Sequence, residues 1–332
     1  MSNTQADKPK HWAVLVVPRV RVQNANAISS PMTWGFPAMT SFLGLMTSLE
    51  RRLGSASVIV FKAVGVVCHD FEAQVTSVGF TRGFHLTRNP VGSDGSTAGI
   101  VEEGRVHLGL TLIFSVQIAS TYLGEAERQL LVDRVTHELS GMRLAGGSVM
   151  PTLPGDHRKR PKPYLELETE GDEAKQKQLG KLKRACLPGF ALVSRDDLLA
   201  TRLTELQSLD PKFSALDAWL DLSRWNHRAI QSEDGKVVWQ TDIREGWTVP
   251  LPVGYTALSE LHSPGTVAGA RDPETPFRFV EAIWSMGQWI SPHRLKSLED
   301  FFWYARVEGE KQSTYRCCND YTPDATPEVT TT

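Results

Sequence analysis

The chain has 332 residues, 36 Lys+Arg against 38 Asp+Glu and a net charge of -2, with 41% hydrophobic and 22% charged residues. That length supports one large or two ordinary domains with a sizeable core, and the composition is that of a globular protein. No apolar run of about eighteen residues exists and the first ten residues are polar, so a membrane span and a secretory signal are not expected, and a cytoplasmic location is. The charge is uneven: residues 1–150 sum to +2, residues 157–184 to +4 and residues 185–332 to -7. A polyanionic partner, if bound, needs a local site in the first half or the middle. Cys68, Cys186, Cys317 and Cys318 form no Cys-x-x-Cys pair, so neither a metal site nor a cofactor is expected.

In chain order, Ala13–Val17 reads as a buried central strand, and the alternation Arg19-Val20-Arg21-Val22 places both arginines on one face. Residues 22–37 carry Asn24, Asn26, Ser29, Ser30, Trp34 and Phe36 without one carboxylate. Their amides and hydroxyls suit phosphates, riboses and base edges, and the rings suit stacking. As an isolated segment, a polar crossover loop capped by a buried Trp explains it equally well.

From Ala38 the period changes. Phe42, Met46, Leu49 and Leu53 form one helical face closed by Gly54. Residues 57–74 read as extended. Six glycines in 79–104, among Arg82, His85, Arg88 and Asn89, predict a long excursion between two strands, mobile unless something orders it. Residues 105–118 alternate, with Val106 to Ile118 inward and Arg105, His107, Thr111, Ser115 and Gln117 on a polar face. A helix follows over 124–140. Arg143 and the turn Gly146-Gly147-Ser148 then lead into a short strand, and consecutive backbone amides there can cradle a phosphate.

The order β-α-β-β-α-β is the ferredoxin-like motif, so an α+β fold is expected. In that topology the first and third strands are central, and their open face would gather Arg19, Arg21, Arg105 and His107. Three segments are expected: a ferredoxin-like domain over 1–154 with a Gly-rich finger at 79–104, which the resemblance given below makes RNA-binding, a polar basic linker or arm over 155–187, and a Trp-rich elaboration over 188–332 packed on the first domain. Seven of the nine tryptophans fall between 219 and 303, suiting either a core or an aromatic surface for a protein partner. No phosphate-loop, dinucleotide, zincin or nucleophile-elbow motif is present. His85 and His107 are the pair available to a ribonuclease as acid and base, although plain polar or surface contact accounts for both more simply.

Several blocks carry a family resemblance: Gln23–Pro31, Trp34–Pro37, Leu86–Pro90, Asp94–Ala98, Ile100–Arg105, Met142–Ser148, Leu187–Arg195, Arg278–Glu281 and Ser291–Arg294. Together they resemble the Csy-two family, the Cas-five-type member of the repeat-associated RNA-binding (RAMP) superfamily in type I-F CRISPR surveillance complexes. The resemblance implies a non-catalytic subunit that grips the 5′ handle of the CRISPR RNA and caps a filament of backbone subunits. It also implies pairing with the large subunit, through which the complex engages target double-stranded DNA. The alternatives are a guide-processing endoribonuclease and a pure protein adaptor. On the first reading Arg19, Arg21, Arg105 and Arg143 meet phosphates, and Asn24, Asn26, Ser29 and Ser30 meet riboses and bases. Trp34 and Phe36 stack, Arg88 and Asn89 form the finger, and Gly146, Gly147 and Ser148 close the far side.

Overall fold

In the computed structural model the described residues are 10–54, 59–88, 91–92, 94–119, 123–151, 161–232, 234–242, 246–270 and 272–323. The first half holds β1 (Lys10–Asn26), β2 (Ile28–Ser30), β3 (Thr33–Trp34), α1 (Met39–Leu53) and β4 (Ile59–Ala73). Four short strands follow, β5 (Val75–Val78), β6 (Thr81–Phe84), β7 (Leu86–Arg88) and β8 (Ile100–Glu102). Then come β9 (Arg105–Ala119), α2 (Glu125–Ser140), β10 (Arg143–Leu144), β11 (Gly147–Met150), β12 (Tyr164–Leu167) and α3 (Asp172–Ala185). The second half holds β13 (Phe190–Ser194), α4 (Asp196–Leu209), α5 (Ala215–Ser223), β14 (His227–Gln231) and β15 (Val237–Thr241). It ends with β16 (Trp247–Ala257), β17 (Val280–Ile290), β18 (Phe302–Glu308) and β19 (Thr314–Asn319). The fold class is α+β, as expected.

One eleven-stranded antiparallel sheet runs through both halves of the chain. Its first part is ordered β11-β1-β9-β4. Even-numbered side chains of β9, from Val106 to Ile118, share a core with α1, α2 and Ala13, Leu15 and Val17 of β1. This is what strict alternation on a half-buried strand requires. The other face is not polar throughout. Val14, Val16 and Ile113 pack there against Leu179, Leu182 and Cys186 of α3 and its end, and Thr111 and Ser115 are buried with them.

Residues 161–187, expected as a linker or arm, therefore belong to the body of the protein. β12 pairs with Ala13–Val16 of β1, and α3 covers the sheet. Among so many lysines and glutamates only Leu179, Leu182 and Cys186 mark the inward face, too few to stand out as a period. Residues 155–160 of that expected arm lie outside the described residues.

The sheet then closes on itself. β4 pairs with β13 through Val67 and Cys68, and with β18 through Val64 and Gly65. β13, β17, β16, β19 and β18 complete a ring of six antiparallel strands that includes β4. Trp303 of β18 is fully buried, and its Nε1 donates to the Leu192 carbonyl at 2.8 Å. The Trp-rich half is thus part of the same sheet, continuous with the first half through β4. Its tryptophans divide: Trp219, Trp289 and Trp303 are core, whereas Trp225, Trp239 and Trp247 are exposed.

The Gly-rich excursion is two successive β-ribbons, β5–β6 and β7–β8. Their root is tied to the sheet by Gln74 N–H to the Arg105 carbonyl (2.9 Å) and His85 N–H to the Gln74 carbonyl (3.3 Å). Glycine density here marks turns between short strands, not absence of structure.

Candidate functional site: a polar cleft at the end of the sheet

β1 reaches past the expected loop boundary because it tolerates two bulges, between Val17 and Val20 and between Val22 and Ala25. Each bulge holds a non-glycine residue in the left-handed region, Arg19 at φ 54° and Asn24 at φ 57°. Asn24 N–H donates to His107 Nδ1 at 3.1 Å. Arg19 is pinned: its N–H reaches Thr111 Oγ1 at 3.4 Å and its Nη2 donates to the Leu187 carbonyl at 3.1 Å.

His69 completes this brace, with Nδ1 on the Pro188 carbonyl at 2.6 Å and Nε2 on Thr111 Oγ1 at 2.7 Å. A carbonyl only accepts, so Nδ1 carries the proton and the threonine hydroxyl donates to Nε2. Burial is the main cause that lowers the His69 pKa from its ordinary 6.5; the Pro188 carbonyl opposes it and the Arg19 charge adds to it. Folding thus favours neutral His69. The stability it confers is complete above about 6.5 and is lost as pH falls through the lower folded value. Thermal melts should show stability declining below pH 6.5, with a shallower decline in His69→Gln; identical slopes would contradict the assignment.

Beyond the second bulge, residues 28–34 form the β2–β3 ribbon, not an open loop. Asn26 shapes it, since Oδ1 accepts from Ile28 N–H at 3.0 Å and Nδ2 donates to the Ile28 carbonyl at 2.7 Å. Ser30 is buried and its hydroxyl is committed to Thr33 (2.7 Å), Met32 N–H (3.2 Å) and Trp284 Nε1 (2.9 Å). Phe36 stacks on Phe42 with centroids 5.5 Å apart and meets Trp289 edge-on at 4.8 Å. These two residues anchor the segment and face inward. Trp34 is 47% exposed and sits beside Phe71 and Phe84 at the root of the ribbons.

On the other side of β1, β10 and β11 are joined by Ala145-Gly146, both with positive φ (48° and 76°), as a tight two-residue hairpin turn requires. Asn26 N–H donates to the Ala145 carbonyl at 2.8 Å, which ties the turn to β1. Gly147 permits the approach: a Cβ there would lie 2.6 Å from Ala25 N and 2.7 Å from the Gln23 carbonyl oxygen. Arg143 and Ser148 are cross-strand neighbours, exposed on this hairpin.

Asn26, Ser29, Arg105 and Gly146 meet in one cleft of about 560 Å³, which also takes in Pro37, Ala38, Thr40, Ser41, Glu102, Glu103 and Tyr255. α1 begins at this wall with Ala38 as its N-cap and no side chain capping it. Arg105 is held by Glu103, whose Oε2 accepts from Nε at 3.0 Å and Nη2 at 2.6 Å. Arg21 lies elsewhere, in a groove of about 350 Å³ with Gln23, Asp70, Glu72 and His107. Of the arginines expected on one face, Arg19 and Arg21 also line one cavity of about 740 Å³ together, whereas Arg105 stands apart in the cleft. The side chain of Arg88 and all of Asn89 lie outside the described residues.

Sequence reasoning missed Glu102, Glu103 and Tyr255. The closeness of Glu103 to Arg105 in the chain was a usable signal for a local ion pair just before β9. Tyr255 gave none, since only the ring of strands brings it beside β1.

Fold and cleft together define an α+β protein with one long antiparallel sheet and a ligand-sized polar cleft at its end. The chain belongs to the CRISPR-associated Csy2 family: the model of that family, described as CRISPR-associated protein (Cas_Csy2), matches residues 15–317. It is 45% identical over 309 residues to the CRISPR-associated protein Csy2 of Pseudomonas aeruginosa (strain UCBPP-PA14), covering 90% of this chain and 93% of that protein. The family resemblance carried by the sequence blocks is borne out. Among the described residues no helix is long and apolar enough to cross a membrane.

Proposed function

We propose that this chain is a non-catalytic, cytoplasmic subunit of a type I-F CRISPR surveillance (Csy) complex that grips the 5′ handle of the CRISPR RNA. Family membership supports a place in such a complex. The sheet order β11-β1-β9-β4, with α1 and α2 on one face, supports reading residues 10–150 as a ferredoxin-like RAMP domain. The observation that carries the RNA reading is the convergence of Asn26, Ser29, Arg105 and the Ala145-Gly146 turn, from separate stretches of chain, on one cleft. Arg21 in the neighbouring groove and Arg143 on the hairpin are the cations for flanking phosphates. The exposed Trp225, Trp239 and Trp247 suit burial against the large subunit; the subunit also caps the filament of backbone subunits, and target DNA is engaged through the complex.

The test is titration of labelled handle RNA at rising salt. Log affinity should fall linearly with log salt, and each lost phosphate contact should reduce the slope by about 0.7 on a single strand. Arg21→Ala is expected to show that reduction with an unchanged circular dichroism spectrum. Failure of the wild type to bind the handle would overturn the reading. In the same preparations repeat RNA should remain intact; metal-independent cleavage abolished by His85→Ala or His107→Ala would establish an endoribonuclease instead.

A further inference from the structure

The charges lining the cleft suit a base better than a phosphate. Glu103 occupies Arg105, and its hydrogen bonds from Arg105 and Thr87 hold its carboxyl below the usual range, so it stays ionised. That pair is neutral overall. Glu102 adds an exposed carboxylate that makes no hydrogen bond or ion pair with the described residues. The side chains of the wall thus carry one net negative charge, set against the uncapped N-terminus of α1. The other polar side chains of the lining are uncharged: Asn26, Ser29, Thr40, Ser41 and Tyr255, whose ring is 42% exposed. At about 560 Å³ the cleft lies within the usual range of about 300–1,000 Å³ for small-ligand sites.

An ionised carboxylate is an acceptor only, with two oxygens side by side. Among the four RNA bases only guanine presents two adjacent donors, N1–H and the N2 amino group, on its Watson–Crick edge. Adenine and cytosine each offer one amino group beside a ring acceptor, and uracil flanks its one imino group with carbonyls that a carboxylate repels. Sequence-specific RNA recognition reads unstacked bases on this edge, commonly against an aromatic ring.

We propose that the cleft is a pocket for one unstacked guanine, selected by Glu102 through its N1–H and N2 amino donors, with Tyr255 as the ring it lies against. Glu103 serves as a positioning residue, because it neutralises Arg105 and leaves Glu102 the uncompensated charge of the wall. The inference rests on the reading of the cleft as an RNA site and adds which base enters it.

The test uses three uridine octaribonucleotides carrying a single guanosine, inosine or adenosine at the fourth position, titrated by fluorescence anisotropy. The guanosine probe should bind wild-type protein about tenfold tighter than the adenosine probe, as for one bidentate base contact, with inosine, which lacks the N2 amino group, between them. Glu102→Gln, which alters only an exposed carboxylate and leaves the backbone pairing with Leu86 in place, should keep the wild-type circular dichroism spectrum and bring the three within about twofold of one another. Equal binding by the wild type, or a guanosine preference that survives Glu102→Gln, overturns the guanine pocket and leaves the RNA reading in place. No binding of any probe overturns both.

Discussion

Trp303→Ala is expected to destabilise the chain by about 3–5 kcal/mol, the usual cost of deleting a buried aromatic side chain. That is a large share of a total stability of about 5–15 kcal/mol. Trp303 is fully buried, pairs with Val64 of β4 across the closure of the ring, and donates to the Leu192 carbonyl on β13. Truncation leaves a cavity where three strands meet and an unpaired buried carbonyl. Trp303→Phe should keep most of the packing and lose the hydrogen bond, costing about 1–3 kcal/mol. Chemical denaturation of both variants checks the order. A Trp303→Ala protein as stable as wild type would mean that the ring does not hold the two halves together.

Gly147→Ala has the second largest expected effect, and it acts on both the fold and the cleft. The added methyl would sit 2.6 Å from Ala25 N and 2.7 Å from Ala25 Cα, both backbone atoms that cannot swing aside. The β10–β11 hairpin must move away from β1, at about 1–3 kcal/mol for overpacking. Movement also breaks the bond from Asn26 N–H to the Ala145 carbonyl and shifts Gly146, which lines the cleft. A loss of thermal stability accompanied by weakened handle binding is expected. Gly146→Asn, on a left-handed position with nothing closer than 4.0 Å to a new Cβ, should have a much smaller effect on both. Equal effects of the two substitutions would contradict the close-approach role.

Local pattern carried the first half of the fold well. The helical faces of α1 and α2 and the alternation of β9 lie within single segments, where the period of apolar residues reports directly on burial. The ring of strands was not legible, because pairings such as Trp303 with Val64 or Tyr255 with Tyr315 join stretches far apart in the chain and leave no local mark. For the cleft, composition identified chemistry but not direction. Asn26, Ser29, Arg105 and Gly146 do line it, whereas Ser30 and Phe36, equally polar or aromatic on paper, turn inward to Trp284 and Trp289. The segment 22–37 contains no carboxylate, yet its cleft does, because Glu102 and Glu103 arrive from the end of the β7–β8 ribbon.

The central claim, that the end of the sheet beside β1 holds guide RNA, is tested most directly by photocrosslinking. The assembled complex would carry guide RNA with photoreactive nucleotides placed in turn along its 5′ handle, and the adducts would be mapped by mass spectrometry. Adducts are expected in peptides spanning residues 23–29, 102–107 and 143–148 and at Tyr255. Handle RNA that is retained in the complex yet crosslinks to none of these peptides would contradict the account.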